Sequence, residues 1–272
     1  MWSIPQAIEQ PTAERSPHRR RSGGTRIVAP ASDSAIGIEI ARRADRRIAP
    51  VARTVTVRSR SEIANRVVNV ALASLALIVL SPVILLVAIA VKLSSRGPVV
   101  YSQTRVGLDR RTQSIDALYS KRKLDHGGML FTIYKFRTMR ADAERSSGAV
   151  WATRNDPRVT PLGRILRRMR LDELPQLVNV IMGDMNIVGP RPERPSIFVR
   201  LREDLPDYRF RQRTRPGITG WAQINHTYDT SIDDVRAKIR YDLEYLERQS
   251  LAEDLMIMAK TLPVMIFRKS GW

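Results

Sequence analysis

The longest apolar run of the chain extends from Val67 to Val91 and contains no charged residue. At about 1.5 Å per residue, a straight helix of that length would cover roughly 37 Å, more than the hydrocarbon core of a bilayer at about 30 Å. Ser61 followed by Glu62 offers a helix start, and the segment Ser94–Pro98 offers a stop. The pattern predicts a membrane helix within residues 61–96.

A proline near the middle of this helix leaves two topologies open. Pro82 cannot donate a hydrogen bond to the carbonyl of Ile78, which predicts a bend after Ser81. Basic residues flank both ends of the helix. Both flanks satisfy the positive-inside bias only if both ends lie on the cytoplasmic side. That favours a re-entrant helix broken at Ser81-Pro82, whereas the tolerance of membrane helices for proline favours a mildly kinked spanning helix. The flanking cations are Arg53, Arg58, Arg60 and Arg66 before the run and Lys92, Arg96 and Arg105 after it.

Residues 97–272 alternate short apolar strands with amphipathic helices. Val99–Thr104 and Met129–Met139 predict two strands able to pair, separated by a polar insertion from Asp109 to Gly128. The predicted fold class is α+β and mostly helical, with a short β-hairpin and amphipathic helices at the membrane interface. The predicted helices cover Pro161–Arg170, Leu174 to Ile181 and Glu193–Arg213, and two more follow capping boxes at Ser231 and Ser250, the last kinked by Pro263.

Charge and composition narrow the partners of the chain. The first 60 residues are rich in Arg, Ser, Ala and Pro without apolar periodicity, which predicts a basic, disordered arm rather than a signal peptide. The 272-residue chain has a formal net charge of +19, which implies nucleic acid, anionic lipid or a phosphorylated metabolite as a partner. The membrane helix favours lipid for the arm. Because the chain has no cysteine, disulfides and thiolate metal sites are excluded.

The adjacent acids Asp172 and Glu173 are the strongest chemical candidates, because they follow an arginine-rich helix. Arg164, Arg167 and Arg168 share one face of that helix, and like charges stacked in this way cost stability unless an anion lies opposite. A carboxylate and a phosphate repel each other, so a site that joins them needs guanidinium groups and a divalent cation. Helix capping by Asp172 fully explains one acid, but it explains neither Glu173 nor the surrounding cations.

Two stiff loops after the acidic pair carry further candidates. Gly189-Pro190-Arg191-Pro192 is too rigid for helix or strand and is suited to hold Arg191 against a ligand. The stretch Arg215–Asn225 contains a proline, two glycines and Trp221, which indicates backbone close to a ligand with an aromatic ring nearby. A tight structural turn around a buried Trp221 fits the same residues.

In these blocks the chain resembles the bacterial sugar transferases that act on polyprenyl phosphate, also called monotopic phosphoglycosyl transferases. The resemblance covers roughly residues 63–272, in the order of the family. The basic arm has no counterpart in that family, and the insertion is longer than the usual connection. The matching blocks are Ser81-Pro82, Tyr134–Met139, Leu171–Leu177, Gly183–Met185, Gly189–Pro192 and Arg215–Gln223.

The resemblance implies transfer of a sugar 1-phosphate from a UDP-sugar to undecaprenyl or another polyprenyl phosphate, with release of UMP. This would initiate the assembly of exopolysaccharide, capsule or another glycoconjugate. Asp172 would be the nucleophile of a covalent phosphosugar intermediate, and Glu173 would help to position Mg²⁺, bound by the two acids, or manage the proton of the acceptor. Ser81-Pro82 would be the break of a re-entrant helix. The implied substrate and phosphate contacts are Arg167, Arg191 and Arg215, and further candidates are Lys135, Arg137 and Gln223.

The same resemblance implies a bacterial inner-membrane protein with its site on the cytoplasmic face, inner-membrane lipids as partners and no nucleic acid, and it allows a homodimer. Residues 1–60 would be the arm, 61–96 the membrane helix and 97–272 the catalytic domain. A competing hypothesis is a membrane-tethered, non-enzymatic binder of nucleic acid or anionic lipid, indifferent to Asp172 and sensitive to salt. A third keeps the fold but uses a direct single displacement, with Asp172 as a base or metal ligand.

Overall fold

The structure, a computed structural model, describes residues 55–110, 127–140, 143, 156–226 and 232–267. The predicted basic arm therefore lies outside the described residues up to position 54, and so do most of the predicted insertion and the capping position Ser231. All of the described residues belong to one compact unit.

Helix α1, Glu62–Ser94, contains the predicted membrane segment and is long and apolar enough to cross a membrane. Ser61 caps it, because the serine Oγ accepts a backbone N–H three residues further on at 3.3 Å. The helix continues through Pro82, and the Ser81 Oγ donates to the carbonyl of Ile78 at 2.8 Å. The serine thus replaces the hydrogen bond that Pro82 cannot make. The break at Ser81-Pro82 stays a prediction.

The predicted hairpin is confirmed. Strands β1, Val100–Val106, and β2, Leu130–Phe136, pair antiparallel, although β2 ends earlier than predicted. Side chains alternate across β2, so Lys135 points to the opposite side of the strand from Phe136. Helix α2, Pro161–Arg168, and helix α3, Gln176–Met182, follow the hairpin. Gly183 ends α3 with a φ of 94°, a left-handed conformation that suits glycine.

The rest of the chain adds a small parallel sheet, four α-helices and one 3₁₀ helix among the described residues. Strands β3, Asn186–Val188, and β4, Gly217–Thr219, pair in parallel, which the sequence pattern did not predict. The single helix expected over Glu193–Arg213 is wrong, because Pro206 interrupts it. The helical elements are α4 (Pro195–Asp204), a 3₁₀ helix (Pro206–Arg213), α5 (Trp221–Asn225), α6 (Ile232–Arg248) and α7 (Leu251–Phe267). Helix α7 continues through Pro263.

Three apolar clusters hold the described residues together, and α1 contributes to two of them. The first cluster joins α4, α6 and α7. The second contains Ala73 of α1 with Ile133 of β2 and residues of α3. The third contains Val87 and Val91 of α1 with Phe136 of β2 and a leucine of α2. The two halves of α1 therefore pack on the same body. The outer surface of α1 exposes Leu75, Ile78, Val79, Leu85 and Leu86.

Candidate active site

The acidic pair lies in a short 3₁₀ turn, Leu171–Glu173, between α2 and α3. Arg170 precedes this turn in the left-handed region, with φ 53° and ψ 20°, and is the only non-glycine residue with positive φ in the described ranges. Helix α3 has Pro175 at its N-cap and receives no side-chain cap. The capping role considered for Asp172 is therefore wrong, and capping no longer explains an acid at this position.

The left-handed backbone at Arg170 gives a prediction about stability. Replacement by Gly or by Ala removes the same guanidinium, whose Nη1 lies 3.6 Å from the Oε2 of Glu173. Glycine adopts this backbone region without steric cost, whereas alanine does not. We expect Arg170→Gly to be more stable than Arg170→Ala by about 1 kcal/mol in denaturant unfolding. Equal stabilities of the two variants would contradict the left-handed assignment.

Neighbouring cations balance the negative charge of Glu173. Its Oε1 accepts from Lys135 Nζ at 2.8 Å and from Arg191 Nη2 at 2.5 Å, and Arg170 faces its Oε2. Burial alone would raise the pKa of Glu173, but Arg191 and then Lys135 outweigh burial and hold that pKa well below its usual value. Glu173 is therefore ionised at neutral pH, and its charge is balanced inside the protein.

Asp172 differs from Glu173 in its contacts and in the direction of its pKa shift. Its side chain is buried, with 7% of its surface exposed, and it forms no hydrogen bond or ion pair within the part of the chain that the structure describes. Burial, and then the charge of Glu173, raise the pKa of Asp172 above its usual value. The cations that oppose this shift are Lys135, Arg167 and Arg191. The Asp172 carboxylate is thus surrounded by positive charge but committed to no partner.

Asn179 on α3 fixes the position of the acidic pair relative to β2. Its fully buried side chain donates from Nδ2 to the carbonyl of Thr132 at 2.7 Å and accepts at Oδ1 from the N–H of Tyr134 at 3.1 Å. The amide therefore acts as a strand partner for β2 immediately before Lys135. The sequence pattern did not identify Asn179 as functional, although an amide on the apolar side of a helix needs buried hydrogen-bond partners.

Arg191 reaches Glu173 from a loop in which two backbone segments lie unusually close. A Cβ added to Gly189 would lie 2.4 Å from the carbonyl oxygen of Arg215, and one added to Gly217 would lie 2.1 Å from the nitrogen of Gly189. Only glycine permits this approach. Gln223 on α5 lies beside the Arg191 guanidinium, with its Oε1 3.5 Å from Nη1. The Nε2 of Gln223 is buried and has no partner among the described atoms.

Arg167 lies beside the acidic pair, as predicted. Its Nε donates to the Oγ1 of Thr138 at 2.9 Å. Burial lowers the pKa of Arg167, and Asp172 is the strongest charge that opposes this shift. The other two arginines of the α2 face, Arg164 and Arg168, are exposed. The structure therefore brings Lys135, Arg167, Arg191 and Gln223 around the acidic pair.

Two other predicted contacts lie at the ends of α1 instead. The Arg137 guanidinium is buried and donates to the carbonyls of Val91, Ser95 and Arg96, where the helix ends. The Nη1 of Arg215 lies 3.9 Å from Glu62, where the helix begins. Both arginines therefore contact α1 or the residues next to its ends. The phosphate contacts expected of them stay predictions.

The acidic pair offers carboxylate oxygens but no complete metal site of its own. No group of three or more His, Cys, Asp or Glu residues able to hold a metal occurs among the described residues. Mg²⁺ is often held by one or two carboxylates, with phosphate oxygens and water completing its shell. Asp172 offers an uncommitted carboxylate for this purpose, whereas both oxygens of Glu173 already face cations, with its Oε2 3.5 Å from Arg191 Nη1 and 3.6 Å from Arg170 Nη1. The predicted Mg²⁺ stays a prediction.

Comparisons with known proteins identify the family. The family model for bacterial sugar transferases matches residues 60–116 and 111–268, and the chain belongs to the bacterial sugar transferase family. The chain is 39% identical to UDP-N-acetylgalactosamine-undecaprenyl-phosphate N-acetylgalactosaminephosphotransferase of Aeromonas hydrophila over 197 residues. The aligned region covers 72% of this chain and 42% of that protein. The resemblance found in the sequence motifs is confirmed.

Two further relatives extend the comparison. UDP-glucose:undecaprenyl-phosphate glucose-1-phosphate transferase of Escherichia coli K12 is 39% identical over 199 residues, covering 72% of this chain and 39% of that protein. Exopolysaccharide production protein PSS of Rhizobium leguminosarum bv. phaseoli is 38% identical over 204 residues, covering 72% of this chain and 92% of that protein. The chain thus spans about two fifths of the length of the first two relatives and nearly all of the third.

Proposed function

We propose that the protein transfers a sugar 1-phosphate from a UDP-sugar to undecaprenyl phosphate and releases UMP. The observation that carries the proposal is the contrast within the acidic pair. Glu173 is neutralised by cations, while Asp172 beside it is buried and unpaired among the described residues. Cations that face an uncommitted carboxylate allow it to approach a diphosphate. Two relatives named as UDP-sugar and undecaprenyl-phosphate transferases support these substrate classes.

The proposed reaction consists of two displacements at one phosphorus. An oxygen of Asp172 attacks the phosphorus that bears the sugar, and the bond from that phosphorus to the bridging oxygen breaks. UMP leaves with the bridging oxygen and its electron pair. A phosphate oxygen of the polyprenyl phosphate then attacks the same phosphorus, and the Asp172 carboxylate is released. The raised pKa of Asp172 supports this role, because a more basic carboxylate is a better nucleophile.

The neighbouring residues have supporting roles in this proposal. Lys135 and Arg191 would stabilise the negative charge that develops on the transferred phosphate and on the departing UMP. Asp172 would hold Mg²⁺ together with the diphosphate, and Glu173 would join it through an oxygen that Arg191 or Arg170 releases. The metal, when bound, would offset the charge that the substrate adds to two carboxylates. Gln223 would offer its unpartnered Nε2 to an oxygen of the substrate.

We also propose that α1 enters the inner membrane and returns to the cytoplasmic face. Both halves of α1 pack on the same body, and arginines bind the carbonyls at each contact. Arg66 donates to the carbonyls of Val180 and Ile181 at the end of α3, and Arg137 binds the C-terminal end of α1. Two ends held on one body support a location of both ends on one side of the bilayer. The exposed middle of α1 supplies the apolar surface that lipid would cover.

The absence of native cysteine makes this topology directly testable. Ser59→Cys and Ser94→Cys, made separately, place one thiol before α1 and one at its end, both at exposed positions. We expect a membrane-impermeant maleimide to label both variants in inside-out vesicles and neither in intact spheroplasts. Labelling of the two positions from opposite sides would show a spanning helix.

The proposed activity is tested with the protein in nanodiscs that contain undecaprenyl phosphate. A panel of radiolabelled UDP-sugars is supplied with Mg²⁺, and UMP and lipid-linked label are measured. We expect at least one UDP-sugar to give both products. UMP released without acceptor, together with label bound to the protein, would support the covalent route over a single displacement. Failure of every UDP-sugar, together with anion binding that falls with salt and does not depend on Asp172, would favour the non-enzymatic binder.

A further inference from the structure

The loop that carries Arg191 is fixed through its backbone carbonyls. Four consecutive carbonyl oxygens each accept a hydrogen bond, and the four donors come from three segments of the chain. The donors are Gly217 N to Pro190 O at 3.0 Å, Arg211 Nη2 to Arg191 O at 3.0 Å, Arg105 Nη1 to Pro192 O at 3.1 Å, and Val106 N to Glu193 O at 2.9 Å. Two of these donors are arginine side chains.

Arg211 is itself held in one orientation. It is 1% exposed, and its Nε donates to Asp242 at 2.8 Å, while Nη1 donates to the hydroxyl of Tyr208 at 2.6 Å. The guanidinium also lies over the Tyr208 ring, 4.8 Å from its centroid. Three donors in one rigid plane thus join α6, the 3₁₀ helix and the carbonyl of Arg191. Lysine has no such planar set of donors and cannot make all three contacts.

Arg105, on strand β1, donates to the next carbonyl, that of Pro192. Its Nη2 donates to the Oε1 of Gln103 at 2.6 Å, and its Nη1 lies 3.4 Å from the carboxylate of Glu193. Burial lowers the pKa of Arg105, and the charge of Glu193 partly offsets this effect. Neither Arg105 nor Arg211 contacts Asp172 or Glu173. Each donates to a backbone carbonyl of the loop that contains Arg191.

We propose that Arg211, oriented by Asp242, and Arg105 are positioning residues that act on the reaction through Arg191. The proposal rests on the proposed function. An arginine on a loop has many rotamers, and a rigid mount limits the directions from which its guanidinium can meet Glu173 and the substrate phosphates. Residues that orient a functional group through its support change activity about 10- to 100-fold when replaced, as for the outer shells of metal sites.

The alternative is that Arg211 stabilises the fold and has no particular effect on Arg191. The two possibilities differ in how the losses combine. If Arg211 acts through Arg191, its replacement costs less once Arg191 is already altered, because coupled residues are not additive. If Arg211 only stabilises the fold, its replacement lowers the rate by the same factor in both backgrounds.

The experiment compares Arg211→Lys in the wild type and in an Arg191→Lys background, with label transfer from the active UDP-sugar as the assay. Arg213→Lys is the matched control, because Arg213 lies in the same 3₁₀ helix and donates to the carbonyl of Val55 rather than to the Arg191 loop. We expect Arg211→Lys to lower kcat about 10-fold or more in the wild type and by less than about 2-fold in the second background. Arg213→Lys should leave kcat within about 2-fold in both.

Equal losses in the two backgrounds, or no loss in the wild type, would overturn the proposal. If Arg211→Lys does not fold into membranes, Arg105→Lys replaces it in the same two backgrounds and is judged by the same losses of kcat. A second readout needs no turnover. If Arg211 fixes the Arg191 loop, hydrogen exchange at the backbone N–H of Gly217, which donates to the Pro190 carbonyl, should become faster in Arg211→Lys but not in Arg213→Lys. Unchanged exchange would count against the proposal even if no UDP-sugar proves active.

Discussion

Asp172→Asn is expected to lower the rate of UMP release by about 10³-fold or more while the thermal stability of the protein stays equal to that of the wild type or rises. Asparagine has nearly the same shape as aspartate, so the turn that carries it should persist. Its amide is a very poor nucleophile and cannot form the phosphosugar adduct. The assay is radiolabel transfer to undecaprenyl phosphate in nanodiscs, alongside a thermal unfolding scan.

The stability part of this prediction follows from the raised pKa of Asp172. Because burial and Glu173 raise that pKa, the folded protein keeps a proton that the unfolded chain has already lost. Folding stability therefore falls as the pH rises from the ordinary aspartate pKa to the raised one, and the loss is complete above the raised pKa. Asparagine removes it. Asp204→Asn, at an exposed position of α4, is the control and should change neither activity nor Tm.

Two outcomes would contradict the role of Asp172. Substantial UMP release by Asp172→Asn would mean that another group attacks the phosphorus. An inactive variant with a clearly lower Tm would mean that the carboxylate supports the fold. The absence of any partner for Asp172 among the described residues argues against such support.

Glu173→Gln is expected to destabilise the protein by about 2–3 kcal/mol and to lower activity about 100-fold. The neutral amide leaves Lys135 and Arg191 close together without their shared counter-charge, and breaking one member of a buried ion pair costs more than the pair contributes. We place the cost at the lower end because the two cations retain 19% and 36% of their side-chain exposure. Denaturant unfolding measures the first effect and label transfer the second.

The pH dependence of Glu173→Gln provides its control. Since the pKa of Glu173 is held below its usual value, the ion pairs contribute stability above about pH 4.5, and this stability is lost as the pH falls through the lowered pKa. The variant should lack this loss, so its Tm should approach that of the wild type in acid. A constant difference in Tm at every pH would exclude the ion pairs as its cause. Two adjacent acids are thus expected to affect stability in opposite directions.

The location of the site could be predicted because its main signals are local. Asp172 and Glu173 are adjacent, and the arginines of α2 precede them directly. The contrast between the two acids could not be predicted, because it depends on Lys135 and Arg191, which lie 38 and 18 residues from Glu173 in the chain. The sequence contains all four residues, but only the fold determines which acid the cations face.

The burial of Arg211 could not be predicted from the sequence for a different reason. Every second residue from position 209 to 215 is an arginine, so sequence alone gives no way to select the one that is inside. Strands β3 and β4 have three residues each, too few for alternation to mark them. Their pairing depends on the close approach of Gly189 and Gly217, a long-range contact. The arginines are Arg209, Arg211, Arg213 and Arg215.

Shortening the chain to remove α1 would not produce a water-soluble catalytic fragment. The inner stripe of this helix forms one wall of two apolar clusters, so a truncated protein that starts after Ser94 would leave Ile133 and Phe136 facing solvent. It would also leave the last carbonyls of α3 without the guanidinium of Arg66. Purification therefore calls for a detergent or polymer that covers the outer side of α1 without separating its inner side from the rest of the protein.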